Sequence, residues 1–64
     1  MMNKGDNIVL KEPVIVTGSL GAEYLLKNTK GVLIGECDGL AEIQILDDIF
    51  FIPSDSIILG KHAA

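Results

Sequence analysis

The sequence contains no arginine and no tryptophan, and only one cysteine and one histidine. Each absence removes a class of function. Five lysines face nine acids, leaving a net charge of −4. Nucleic-acid binding rests on cations that neutralise phosphates, and anionic membrane surfaces also attract Lys and Arg, so neither partner is expected. A lone cysteine forms no intrachain disulfide, and the chain has no Cys/His set for a structural zinc. Cys37 stands among acids at the end of an apolar run and is read as a half-buried residue without a function, and His62 as a tail residue. Thr17, Ser19 and Ser54 have no His–acid pair to activate them. Gly18-Ser19-Leu20-Gly21 lacks the Lys-Ser/Thr that would continue a phosphate loop. No enzyme, cofactor or metal is therefore expected. The apolar runs are far shorter than the ~20 residues that span a bilayer, and 1–6 hold no apolar stretch of the secretory kind. A cytoplasmic protein with a reduced thiol is the expectation.

What is abundant is apolar character: 48% of the 64 residues. A chain of this length makes one domain and buries only roughly 60% of the surface its unfolded form exposes. Either the core is dense or another chain covers part of the apolar surface. The acids are unevenly spread. Glu36, Asp38, Glu42, Asp47, Asp48 and Asp55 fall in a span with no Lys or Arg. They lack the Asp-x-Asp-x-Asp-Gly order of a calcium loop. They serve turns and solubility, or they form an acidic patch, Glu36, Asp38, Asp47, Asp48 and Asp55, that steers a basic partner.

The chain is organised around residues 30–53, which read as three antiparallel strands. The run 30–37 is apolar around Val32, Leu33 and Ile34, and Asp38-Gly39 is a strong signal for a two-residue hairpin turn. Residues 40–46 alternate, Asp47-Asp48 interrupts, and 49–52 runs to Pro53. Upstream, 8–10 and 14–17 are short β segments around Pro13. Between Gly18 and Thr29 two readings stand: one or two helical turns over 22–27, or a partly ordered loop whose Tyr24, Leu25 and Leu26 fold onto the core. Downstream, Ser54-Asp55-Ser56 predicts a 3₁₀ turn and 57–59 a last strand ended by Gly60. Residues 1–7 are expected to be a flexible N-terminus, 8–59 the domain, and 60–64 a flexible tail.

Gly31-Val32 after the long loop, the turns at Asp38-Gly39 and Asp47-Asp48, and Pro53-Ser54-Asp55-Ser56-Ile57 together make an order that resembles an SH3-like small barrel, the plan shared by KOW-type domains. The resemblance implies a mainly β fold, a five-stranded barrel, with room for one short helical turn in the long first loop. The aromatic groove that holds proline-rich peptides is not carried over, because the chain has only Tyr24, Phe50 and Phe51. A KOW-type role beside nucleic acid would rest on Lys27 and Lys30 alone.

With Asp47-Asp48 as the turn, Leu46 pairs with Ile49, Ile45 with Phe50, Gln44 with Phe51 and Ile43 with Ile52. One side then carries Ala41, Ile43, Ile45, Phe50 and Ile52 and is the core. The other carries Glu42, Gln44, Leu46, Ile49 and Phe51, where polar residues would be expected. Three explanations stand: the long loop covers that side, the register differs, or the side binds a protein partner or a second copy. The leading expectation is a non-enzymatic interaction or assembly module using this acid-rimmed face.

Overall fold

Seven strands and one 3₁₀ turn follow one another along the chain in the computed structural model, which describes residues 2–18 and 20–60. Ser19, His62 and the rest of the expected tail beyond Gly60 lie outside the described residues. The strands are β1 (Asn7–Leu10), β2 (Val14–Gly18), β3 (Gly21–Leu25), β4 (Lys30–Cys37), β5 (Leu40–Ile45), β6 (Asp48–Pro53) and β7 (Ile57–Leu59), with the 3₁₀ turn Ser54–Ser56 before β7. One sheet has the order β6-β5-β4-β1-β7 and the other is the hairpin β2-β3, all pairs antiparallel. The mainly β class holds. There are seven strands rather than five, and neither sheet closes on itself.

The central meander forms where the alternation placed it. Asp38 and Gly39 both have positive φ, 53° and 80°, so Asp38-Gly39 is a two-residue turn of the type whose twist matches its flanking strands. The expected 3₁₀ turn and last strand are also present. The backbone N–H of Ser54 donates to the Gly39 carbonyl at 2.9 Å, and its hydroxyl donates to Glu36 Oε2 at 2.9 Å. The 3₁₀ turn is thereby tied to the β4–β5 turn.

Residues 18–29 are neither of the two expected forms. They contain β3, which pairs with β2 in the register Val14↔Leu25, Ile15↔Tyr24 and Val16↔Glu23, and the described residues hold no α-helix. The physical reason is a period of two: Val14, Val16 and Leu25 turn inward onto the core, while Ile15 and Tyr24 form an outward pair. Gly21, at φ 111°, follows the hairpin tip in a conformation that a side chain would strain.

The second hairpin also differs. Its loop is Leu46-Asp47, not Asp47-Asp48, and the pairs are Ile45↔Asp48, Gln44↔Ile49, Ile43↔Phe50, Glu42↔Phe51 and Ala41↔Ile52. The slip is by two positions in the pairing, so every side chain keeps its face. This register sets Ile43 against Phe50 and Ala41 against Ile52, four residues with 3% exposure or less. Leu46 is left in the turn at φ 54°. Left-handed backbone costs an L-residue roughly 1–2 kcal/mol.

Core side chains come from both sheets: Ile8 and Leu10 of β1, Val16 of β2, Leu33 of β4, Ala41 and Ile43 of β5, Phe50 and Ile52 of β6 and Ile57 of β7, with Met2, Val14, Leu25 and Ile45 packed against them. A Cβ at Gly31 would lie 2.5 Å from Ile43 Cγ2 and 2.9 Å from the Gln44 carbonyl oxygen, so β4 and β5 approach through a glycine. The segment before β1 is bonded to β4: Gly5 N–H donates to the Leu33 carbonyl at 2.7 Å, and Leu33 N–H to the Asp6 carbonyl at 2.9 Å.

Candidate interaction face

The outer side of the β4-β5-β6 meander can be built row by row from the pairing. Val32, Gln44 and Ile49 form one row across the three strands, and Gly35, Glu42 and Phe51 form the next. Cys37, Leu40 and Pro53 form the row nearest the β4–β5 turn. Cross-strand partners share a face at about 4.5–5.5 Å. Four of the five residues expected on this side, Glu42, Gln44, Ile49 and Phe51, are brought together. The fifth, Leu46, lies in the β5–β6 turn beyond the paired rows, 90% exposed. The Gln44 side-chain amide donates to its carbonyl at 3.3 Å.

Ile49 and Phe51 are 47% and 57% exposed, side by side on the edge strand of the sheet. The β2-β3 hairpin does not cover them. Of the three residues expected to fold back, only Leu25 reaches the core; Tyr24 is 61% exposed and Leu26 63%. The polar residues on this face lie along its middle, on β5, not around it as a rim. Apolar side chains flank them: Val32 on one side, Ile49 and Phe51 on the other.

Val32 and Leu40, both exposed, extend the face and were absent from the expected set. Val32 is there because of a bulge. The β4–β5 register shifts between Leu33 and Gly35. Counting back from the Asp38-Gly39 turn without that extra residue would set Val32 inward and Leu33 outward. Leu33 is instead buried at 2%. Alternation cannot reveal a one-residue insertion in an unbroken apolar run.

The acids do not form one patch. Glu36 lies just before the β4–β5 turn and Asp38 within it, joined there by Asp55 through the tie between Ser54 and Gly39. Asp47 and Asp48 stand at the other end of β5, about 17 Å of strand away. Glu42 lies between the two groups. Cys37 is exposed rather than half-buried, and its thiol donates to Asp38 Oδ2 at 3.6 Å. Its outward place follows from pairing with Leu40 at the mouth of the turn.

Lys30 borders the face from β4, where Asn7, Lys30, Gly31, Val32, Gln44 and Leu46 line a shallow groove. Among the described residues, no three His, Cys, Asp or Glu side chains come together to hold a metal ion, and no helix is long and apolar enough to cross a membrane. No protein-family model matches the chain, and no curated protein or solved structure matches it significantly.

Proposed function

We propose that the chain is a non-enzymatic interaction or assembly module, built on an SH3-like small-barrel plan, that engages a protein through the outer face of β4–β6. The sheet order β6-β5-β4-β1-β7, a hairpin in the first long connection and a 3₁₀ turn before the last strand support that plan. Working in the cytoplasm, the protein keeps Cys37 as a reduced thiol. The observation that carries the functional reading is that Ile49 and Phe51 are adjacent, outward and uncovered.

Complete burial of a large apolar side chain is worth roughly 1.5–3 kcal/mol. Ile49 and Phe51 start about half exposed, and Val32 and Leu40 somewhat less. The four together supply several kcal/mol, much of which ordering and rigid-body costs absorb. The expected complex is micromolar rather than nanomolar. A KOW-type role through Lys27 and Lys30 offers two cations to phosphate, too few to outweigh the surrounding acids.

Phe51→Glu tests the reading. Its side chain carries no core packing, so the variant is expected to melt close to the wild type while losing self-association or partner capture, as read by sedimentation and pull-down. A wild type that stays monomeric at millimolar concentration and captures no protein refutes the interaction reading. A variant that unfolds assigns Phe51 to the fold instead.

A further inference from the structure

The occupant of this face can be narrowed, given the reading of it as a contact surface. Along its centre Glu42 is half-buried between Phe51 on β6 and Gly35 on β4. A Cβ built at Gly35 meets nothing within 4 Å, and the φ of Gly35 lies outside the left-handed region. Neither crowding nor backbone conformation requires a glycine there. The effect of having one is a notch, open space on the outer surface of the sheet in the row that also holds Glu42 and Phe51. No Lys of the described residues pairs with Glu42. Such a seat offers a cation a counter-charge, an apolar wall for its methylenes or guanidinium plane, and room to enter.

Lys30 at one border aside, the charges along this part of the chain have the same sign as Glu42. From 32 to 60 the chain carries Glu36, Asp38, Glu42, Asp47, Asp48 and Asp55 and no Lys, Arg or His. Two copies meeting face to face would bring two such surfaces together and remove Glu42 of each from water without a partner, which opposes association. We propose that the face takes a segment of another protein in which an arginine or lysine is flanked by apolar residues. The cation sits over Glu42, between Phe51 and the Gly35 notch, and the flanking side chains rest on Ile49 and Val32.

The probe is a capped peptide, Ser-Lys-Val-Arg-Ile-Lys-Ser, beside a counterpart with Glu at the three cationic positions, each titrated into the ¹⁵N-labelled full chain. Selective amide shifts at Gly35, Glu42 and Phe51 are expected with the cationic peptide only. Its affinity should fall about fivefold or more between about 50 and 300 mM salt. Glu42→Gln should weaken it about tenfold, and Gly35→Val, which fills the notch, by a similar factor while core amide shifts stay in place. Equal binding of the Glu peptide, salt-independent affinity, or an unchanged affinity in Glu42→Gln overturns the proposal. A chain that ignores both peptides yet dimerises, and loses the dimer in Phe51→Glu, overturns the cationic occupant while leaving the face a contact surface. A chain that ignores both peptides, captures no protein and stays monomeric overturns both.

Discussion

Replacing Leu46 by asparagine separates the observed register from the one the sequence predicts. Leu46 sits at positive φ in the β5–β6 turn with 90% of its surface in water, so its side chain contributes almost nothing to the core. Left-handed backbone costs an L-residue roughly 1–2 kcal/mol, and asparagine, which bonds locally through its side chain, bears less of that cost. With no burial to lose, Leu46→Asn is expected to gain about 0.5–1 kcal/mol. A domain of this size shifts its Tm by about 4–8 °C per kcal/mol, so the melt should move up by about 2–8 °C. The urea midpoint should rise with it at an unchanged m value. Were Leu46 instead a strand residue paired with Ile49, asparagine would be a poor strand former replacing an apolar cross-strand partner, and the melt would fall. A lower Tm for Leu46→Asn refutes the turn assignment and the argument built on it.

Two glycines should fail for opposite reasons. At Gly31 the obstacle is space: the added methyl of Gly31→Ala meets Ile43 and the Gln44 carbonyl, and overpacking of that kind costs about 1–3 kcal/mol, visible as a lower urea midpoint. At Gly39 nothing lies within 4 Å of a Cβ, so Gly39→Ala should cost only the strain of φ 80°, about 1 kcal/mol, with its amide spectrum otherwise preserved.

The parts of the fold that short-range chemistry determines were legible. Asp38-Gly39 reads as a tight turn, Ser54-Asp55-Ser56 after Pro53 as a 3₁₀ connection, and the alternation of Ala41, Ile43, Phe50 and Ile52 as a buried face. The β2-β3 hairpin was hidden because 22–26 mixes residues favourable to helix with a Tyr-Leu pair that alternates, and its pairing with 14–18 is not written in either segment alone. Leu46 misled because a leucine normally marks a strand, while two adjacent aspartates normally mark a turn. Val32 needed knowledge of the bulge. The pairing of Gly35 with Glu42 follows from the Asp38-Gly39 turn alone, but placing Phe51 in the same row needed the observed β5–β6 register.

The place of β1 governs how the chain must assemble in time. Ile8 pairs with Gly31 on one edge and with Leu59 on the other. The β4–β5–β6 meander, joined by two-residue turns, is the kind of unit that forms on a scale of about 1–10 μs. The first strand made is among the last to be completed, since its second neighbour is β7. Long-range closures of this sort place small all-β domains in the millisecond-to-second range. During that interval one edge of β1 presents bare N–H and C=O groups, with Ile8 and Leu10 not yet enclosed. An unpaired apolar edge is a template for joining another chain. The interval before β7 docks is therefore one in which crowding exposes this protein to aggregation, in addition to the apolar face that β6 keeps in the finished fold.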